Sequence, residues 1–228
     1  VICCANLEQE IPVKFYDSLG PNPRLVRMFM VEKGITIPAE QVDLMSGANR
    51  RPPYTDKNPA GQLPALELDN GFVLAETVPI CEYLEDKNPN PPLVGRTAEE
   101  KAETRMWTRR VELKITGPLA DGFRFAEGLA MFKDRMRTIP HAAADLKLLA
   151  QDGLGWLDGQ LAGKQWICGG RFSLADIVLY AVTDFGTGVG QPLNAEHKNV
   201  SAWFERVAKR PSAEASLHPV AKAGGMRA

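Results

Sequence analysis

A proline-rich segment near the middle of the chain separates two stretches of different character. It runs Asn88-Pro89-Asn90-Pro91-Pro92, and proline can neither continue a helix nor donate a hydrogen bond to a β-ladder. Before it, short apolar runs alternate between strand and helix spacing, whereas after it apolar residues recur mainly at helical spacing. We therefore predict a linker over residues 88–97 between a small α/β domain and an all-α domain.

The stretch before the linker has the pattern βαβ followed by ββα. Together these elements predict one α/β domain over residues 12–87, after an N-terminal tail of residues 1–11. An Asn-Gly pair at positions 70 and 71 marks a hairpin. We predict strands over 13–16, 39–44, 63–68 and 72–74, helices over 24–33 and 76–87, and a loop over 45–57.

The stretch after the linker predicts an all-helical domain over residues 98–215, followed by a tail of residues 216–228. Pro118 is expected to kink the first helix, and Ser173 with Asp176 resembles a capping box. The glycine-rich run 186–190 lacks the Gly-Lys-Ser/Thr of a phosphate loop and predicts an ordinary loop. The predicted helices cover 97–125, 142–161, 174–185 and 200–210.

Composition excludes several functional classes. The 228 residues carry a net charge of -1 and are 44% hydrophobic, so we expect a globular protein with no charge excess to attract nucleic acid or an acidic membrane. No apolar run approaches the ~18 residues of a membrane span. Glu8 and Glu10 stand near an N-terminus that lacks the basic region of a signal peptide.

Cysteine and histidine usage predicts a cytoplasmic protein with no metal. Cys3 and Cys4 adjoin in the tail, and Cys81 and Cys168 lie in apolar runs, with no C-x-x-C motif. This pattern is typical of a reducing compartment, with the last two thiols buried. The three histidines have no partner at ligand spacing, so none is expected to bind metal. They are His141, His197 and His218.

Three spots in the first domain have both a binding and a structural interpretation. Asn22 opens the first helix, where the free N–H groups favour an anion such as a thiolate, although Asn22 can equally be a plain N-cap. Pro64 opens a strand, either as a cis-proline that offers backbone groups to a peptide or as an edge proline. Glu76 and Thr77 open a third-layer helix, where they can hold an ammonium and a carboxylate or simply cap the helix.

Together, and in this order, the three spots resemble the cytosolic glutathione S-transferase family over nearly the whole chain apart from its tails. The resemblance is to bacterial-type members, with theta-, phi- and Nu-like features. It implies a thioredoxin-like N-terminal domain and an all-α C-terminal domain. The matching runs are Pro21-Asn22-Pro23-Arg24, Asn58-Pro59-Ala60-Gly61-Gln62-Leu63-Pro64, Glu76-Thr77 and the N-capping motif Phe172-Ser173-Leu174-Ala175-Asp176-Ile177.

The resemblance implies glutathione as co-substrate and assigns residues to its parts. Pro64 is expected to be the cis-proline, with the Leu63 backbone pairing with the cysteinyl part and Gln62 beside the peptide. Glu76 and Thr77 are expected to bind the γ-glutamyl end. The phi-like loop that contains Asn49 and Arg50 is expected to bind the glycyl carboxylate.

The catalytic position departs from the family pattern. Theta- and phi-like relatives place a serine just before the first helix, and this chain has Gly20 there. Asn22 matches the asparagine of the Nu-like turn and is the favoured thiolate donor, with the Ser18 hydroxyl as the alternative. The turn contains no cysteine, which argues against the omega-like mixed-disulfide reaction.

For the helical domain, the resemblance implies an electrophile site and a homodimer. Trp107 and Phe123 are candidates to line the electrophile site, with helix–helix packing as the equal alternative. Arg105 and Arg109, four residues apart, can cross a dimer interface or face solvent. The predicted function is a transferase of detoxification that attacks a small hydrophobic electrophile. The alternatives are glutathione-dependent disulfide reduction and a non-catalytic binding or assembly module.

Overall fold

The computed structural model describes residues 13–223 and 227–228, so the predicted tail over 1–11 lies outside the described residues. The N-terminal part forms one four-stranded sheet in the order β2-β1-β3-β4. Strand β1 pairs with β2 in parallel and with β3 in the antiparallel sense, and β3 pairs with β4 antiparallel. The strands are β1 Lys14–Asp17, β2 Ala39–Gln41, β3 Ala65–Glu67 and β4 Val73–Ala75.

Two helices pack on this sheet and complete the thioredoxin-like domain, which confirms the predicted fold class. They are α1, Pro21–Lys33, and α3, Thr77–Lys87. Helix α1 begins three residues before its predicted start, because proline is accommodated in the first turn of a helix. It ends as predicted at Gly34, whose φ of 66° closes the helix.

Two predictions in this domain are wrong in part. Strand β2 ends at Gln41, because Asp43 starts a turn in which its carboxylate accepts hydrogen bonds from the backbone of Met45 and Ser46, at 2.9 and 3.1 Å. The predicted loop over 45–57 contains a 3₁₀ turn, Ala48–Arg50, and a short helix α2, Tyr54–Lys57.

The rest of the chain is helical, as predicted for the second domain. Helix α8 is buried along most of its length, and Asp176 in its first turn accepts hydrogen bonds from the Trp203 indole at 2.8 Å and the Ile167 N–H at 3.0 Å. The capping box of Ser173 and Asp176 is confirmed. The helices are α4 Ala98–Val111, α5 Gly117–Arg124, α6 Leu129–Phe132, α7 Ala143–Leu161, α8 Leu174–Gly188, α9 Lys198–Ala208, α10 Pro211–Ala215 and α11 Pro219–Ala223.

The first long helix is interrupted ahead of the position that the sequence indicates. A π-helical turn, Glu112–Thr116, separates α4 from α5, and Pro118 lies in the first turn of α5, where its missing N–H costs nothing. A π turn inserts one residue into the helix and often marks a functional region. The predicted kink at Pro118 is therefore replaced by a widened turn just before it.

Two further expectations in the helical part are wrong. Residues 186–188 continue helix α8 instead of forming a loop. The predicted tail over 216–228 is packed where the structure describes it: it contains α11, and the backbone N–H of His218 donates to the carbonyl of the buried Ala228 at 2.9 Å. Apolar contacts and hydrogen bonds thus hold this segment in place, although its small residues did not predict such packing.

A buried ion pair positions α1 against the helical domain. Arg24 on α1 is fully buried and meets Asp184 on α8 at 2.7 Å, and its guanidinium also donates to the Ala213 carbonyl at 2.9 Å. Removing one partner of such a pair leaves an uncompensated buried charge. The same contacts therefore fix the first turn of α1 relative to the helices that face it.

Cys81 and Cys168 are buried free thiols, as predicted, and burial raises the pKa of both. Among residues 13–223 and 227–228, no three His, Cys, Asp or Glu side chains gather as a metal site would require. None of the described helices combines the length and apolar character needed to cross a membrane.

Candidate functional site

A small cavity opens where α1, the segment before β3 and the β4–α3 junction meet. Six of the residues singled out in the sequence analysis line it, together with Asn58 and Ala75. The first domain thus brings its three separate spots into one site. The six are Asn22, Gln62, Leu63, Pro64, Glu76 and Thr77.

The first turn of α1 leaves one prominent donor at the cavity. Gly20 is the N-cap, with φ 118°, so the interpretation of Asn22 as the N-cap is wrong. The first three helical residues are Pro21, Asn22 and Pro23, and the two prolines carry no N–H. Asn22 therefore provides the only main-chain N–H among these three positions, in addition to its side-chain amide.

The segment before β3 is fixed by hydrogen bonds to the Gln62 carbonyl. The Asn58 side-chain amide donates to it at 2.9 Å and the Tyr54 hydroxyl at 2.6 Å. The Leu63–Pro64 peptide is cis, as the resemblance implied. Two side chains outside the predicted site thus hold the backbone that faces the cavity.

Asn49 and Arg50 stand beside this segment and are not among the residues that line the cavity. The buried Asn49 amide donates one hydrogen bond to the Gly61 carbonyl, at 2.6 Å, and so supports the loop. The exposed Arg50 donates to the Ala60 carbonyl at 3.2 Å and retains further N–H groups for a ligand.

Ser18 does not fit the predicted catalytic role. It is 3% exposed, and its hydroxyl donates to the Val42 carbonyl at 2.6 Å. The hydroxyl proton is therefore used in a hydrogen bond between the residues that follow β1 and β2. Of the two predicted donors, only Asn22 is among the residues that line the cavity.

The two aromatic candidates for the electrophile site have different surroundings. Trp107 is buried in the main core, with its ring 5.9 Å from that of Trp156, which is the packing that the alternative interpretation expected. Phe123 is half-buried, 5.0 Å from the Phe185 ring, and packs in a cluster with Leu19. Because Leu19 precedes the N-cap of α1, Phe123 lies on the side of the helical domain that approaches the cavity.

Sequence reasoning missed Asn58 and Glu112. Asn58 was part of the run that carried the resemblance, and its position four residues before Gln62 was the available signal. Glu112 begins the π turn, and its pKa is raised by burial and by the negative charge of Glu76, while Arg109 opposes the shift. The Glu112 carboxylate is thus electrostatically coupled to Glu76, which lines the cavity.

Replacing Glu112 by glutamine is expected to stabilise the protein at neutral pH by a modest amount, at most ~1 kcal/mol because the side chain is partly exposed. A carboxyl whose folded-state pKa is raised gives stability below its unfolded pKa and loses it as pH rises through the folded value. The gain from Glu112→Gln should therefore vanish toward acid pH.

Urea unfolding of both proteins across pH 4 to 8 measures this dependence. Glu205→Gln, at an exposed position on α9, is the matched control and should show no such trend. A stability difference for Glu112→Gln that is constant with pH would contradict the assignment.

The fold defines a class: a thioredoxin-like sheet domain joined to a helical domain, with a polar cavity at the start of α1. Two family models match the chain, the glutathione S-transferase N-terminal domain over residues 20–87 and the glutathione S-transferase C-terminal domain over residues 150–211. The chain belongs to the glutathione S-transferase family.

Individual relatives agree with this assignment. Glutathione S-transferase 2 of Saccharomyces cerevisiae is 30% identical over 206 residues, covering 89% of this chain and 88% of the relative. The crystal structure of Gtt2 from Saccharomyces cerevisiae matches with a TM-score of 0.84 and 29% identity, over 90% of this chain and 100% of that one. FtsZ-localized protein A of Caulobacter vibrioides is 28% identical over 202 residues, 85% of each chain.

Proposed function

We propose that this protein binds glutathione in the cavity and activates its thiol for attack on a hydrophobic electrophile. The observation that carries the proposal is the convergence of three distant sequence spots on one cavity at the start of α1. In this arrangement Glu76 and Thr77 hold the γ-glutamyl end, and Gln62, Leu63 and Pro64 border the cysteinyl part. Arg50, beside the cavity, is a candidate for the glycyl carboxylate.

Thiol activation needs a modest free energy. A thiol of pKa ~8.5 is only a few per cent thiolate at pH 7, and lowering its pKa by about two units takes ~2.7 kcal/mol. The N-terminus of a helix supplies ~0.3–1 kcal/mol, up to ~2 when partly buried, and a hydrogen bond to a charged group ~1.5–3 kcal/mol. Asn22 at the start of α1 combines both contributions and is sufficient without a hydroxyl at position 20.

The thiolate sulfur then forms a bond to the electrophilic carbon, and the leaving group departs with the bonding electrons. Phe123 is proposed to provide part of the apolar surface on which the electrophile lies. The protein is proposed to act in the cytoplasm, where buried thiols such as Cys81 stay reduced.

A homodimer is proposed along helix α4. The exposed Met106 lies on α4, and the exposed Leu113 lies in the π turn that follows it. Arg109 is exposed there as well and lies 3.8 Å from Glu112, whereas Arg105 pairs more closely with Glu82 of its own chain, at 2.7 Å. Arg105 is thus already engaged within the chain, and the proposed interface rests on the apolar pair and Arg109.

Calorimetry of glutathione binding through pH 6 to 9 tests the proposal. Binding with proton release near neutral pH is the expected result, because the bound thiol ionises. Binding without proton release would support the glutathione site and contradict activation of the thiol. No binding at millimolar glutathione would contradict the proposal as a whole.

Replacing Thr77 by alanine is expected to weaken glutathione binding by about 1–3 kcal/mol, because a carboxylate at the start of α3 loses its hydroxyl donor. Thr77→Ser keeps the hydroxyl and should bind within about twofold of the original protein, since only a methyl group is lost. Equal affinity of all three proteins in the same calorimetric experiment would remove Thr77 from the site.

A non-catalytic module is the second candidate function, and Gly20 is the observation that favours it. The position where theta- and phi-like relatives carry a hydroxyl has no side chain here, and one relative is named for localisation to FtsZ. Disulfide reduction with glutathione is the other alternative, favoured by the Nu-like asparagine. Turnover of a disulfide and not of an electrophile, after binding with proton release, would select it.

A further inference from the structure

Three arginines lie on segments of the fold that contact one another: the Arg135 backbone N–H donates to the Phe132 carbonyl at 2.9 Å, and the Arg124 guanidinium lies 5.8 Å from the Phe132 ring. Arg50 ends the 3₁₀ turn of the first domain, Arg124 ends α5, and Arg135 follows α6. Arg135 reaches across to the first domain, where its Nη2 donates to the Met45 carbonyl at 3.3 Å. This contact brings the segment after α6 against the loop that leads to Arg50.

The positive charges of this arginine cluster are only partly neutralised. Arg124 pairs with Asp121 at 2.8 Å, whereas neither Arg50 nor Arg135 forms an ion pair with a carboxylate in the part of the chain that the structure describes. The charges of Arg135 and Arg124 add to burial in lowering the pKa of Arg50. Positive charges that carboxylates do not neutralise favour an anion beside them.

Arg135 also has an unused donor. Its Nη1 is buried and has no hydrogen-bond partner among the described residues. Buried polar groups are nearly always hydrogen-bonded, so an unpaired guanidinium nitrogen calls for an acceptor. An anion that enters between the loop near Met45 and the helical domain would supply one.

The arginine cluster borders both parts of the proposed active site. Arg50 lies across Gly61, where an added Cβ would be 3.1 Å from Arg50 Cδ, and the next residue, Gln62, lines the cavity. On the other side, the Arg124 guanidinium lies 5.8 Å from the Phe132 ring, which meets Phe123 edge-on at 6.2 Å. The cluster therefore lies between the glutathione cavity and the apolar surface of Phe123.

We propose that Arg124 and Arg135, next to Arg50, bind the carboxylate of an aromatic electrophile, so that the protein prefers anionic co-substrates. This inference rests on the proposed function. The glycyl carboxylate of glutathione needs Arg50 at most, because a single guanidinium binds one carboxylate bidentately. Arg124 and Arg135 belong to the helical domain, and together with the unused N–H groups they remain for a second anion.

A chloronitrobenzoate illustrates the reaction. The glutathione thiolate attacks the ring carbon that carries chlorine, the C–S bond forms, and the C–Cl bond breaks with chloride leaving on its electron pair. The thiol proton goes to solvent. The carboxylate takes no part in bond making, and its contacts with the cluster orient the ring.

Binding of two preformed conjugates tests the inference separately from turnover. One is glutathione joined through sulfur to a 4-carboxy-2,6-dinitrophenyl ring, and the other carries the same ring without the carboxylate. We expect the carboxylated conjugate to bind about tenfold more tightly by calorimetry, as one charge-assisted hydrogen bond would provide. Arg135→Gln should reduce that preference to about twofold or less while the uncharged conjugate keeps its affinity.

Arg137→Gln is the matched control, because Arg137 is exposed and lies two residues from Arg135; it should keep the tenfold preference. Arg135→Lys retains the charge and should keep an intermediate preference, which separates loss of charge from loss of folding. Equal affinity for the two conjugates, or equal weakening of both by Arg135→Gln, would overturn the inference and leave the proposed function intact. Failure of glutathione and both conjugates to bind would overturn the proposed function, and this inference with it.

Discussion

Asn22→Ala is expected to lower kcat/KM for glutathione conjugation by about ten- to hundredfold, because the thiolate loses a charge-assisted hydrogen bond of ~1.5–3 kcal/mol. The same loss should raise the pKa of the bound thiol by about one to two units. The alanine variant keeps the main-chain N–H of position 22, and because Pro21 and Pro23 have no N–H, these first three helical residues offer no further donor to replace the lost side-chain amide.

The pKa of the bound thiol, followed by thiolate absorbance through a pH titration, measures this effect directly. Asn22→Asp has the same shape and places a negative charge beside the sulfur, so it should raise the thiol pKa further than alanine does. Ser18→Ala is the control, because its hydroxyl is occupied by the Val42 carbonyl, and it should leave the thiol pKa unchanged. An unaltered thiol pKa in Asn22→Ala would refute the assignment.

The backbone conformation at Gly20 disfavours any residue with a side chain, and so disfavours a catalytic serine at this position. A Cβ at this position would meet only Pro23 Cδ, at 3.9 Å, among the described atoms. Space is therefore available, but the φ of 118° belongs to a region that side chains rarely adopt. A serine at this position would be strained in the backbone that this chain has, which is why the proposed mechanism gives the donor role to Asn22.

The parts of the site that the sequence predicts consist of residues that are adjacent in the chain. The start of α1, the Gln62-Leu63-Pro64 turn and the Glu76-Thr77 start of α3 each combine a few adjacent residues with a defined backbone requirement. The sheet order then brings these runs together, because β3 lies between β1 and β4. Local chemistry alone left each run with a structural alternative, and the resemblance to the family is what joined the three runs into one predicted site.

The parts that sequence could not predict depend on partners that lie far along the chain. The Ser18 hydroxyl donates to the carbonyl of Val42, 24 residues away. The Asn49 amide donates to the carbonyl of Gly61, 12 residues away. Nothing in the neighbouring residues marks these side chains as already engaged. Trp107 shows the same limit on a helix, because an apolar residue that faces another helix has the same spacing as one that faces a cleft.

The π turn is the clearest case of structure set by tertiary packing. Sequence indicates a break near Pro118, but the extra residue is inserted at Glu112–Thr116. Helix α7 lies directly against this turn, and Gly153 is the point of closest approach. A Cβ at Gly153 would stand 2.3 Å from the Lys114 carbonyl oxygen and 2.8 Å from Ile115 Cγ1. The absence of a side chain at Gly153 therefore lets the backbone of α7 contact the backbone of the π turn.

Gly153→Ala is accordingly expected to destabilise the protein by about 3 kcal/mol, the upper part of the usual range for overpacking. The obstructing atom is a backbone oxygen that cannot rotate aside, so α7 must move away from the π turn and from the fully buried Ile115. The loss should exceed the ~1 kcal/mol that alanine gains over glycine from helix propensity. Denaturant unfolding followed by circular dichroism measures the net change.

Gly159→Ala on the same helix is the matched control, because an added Cβ there meets no described atom within 4 Å. It carries the same propensity gain without the clash and should stabilise the protein by up to about 1 kcal/mol. The two substitutions therefore have opposite expected signs. Since Glu112 begins the displaced turn, Gly153→Ala should also weaken glutathione binding, whereas Gly159→Ala should not. Equal stability of the two variants would mean that α7 and the π turn are not in the contact described.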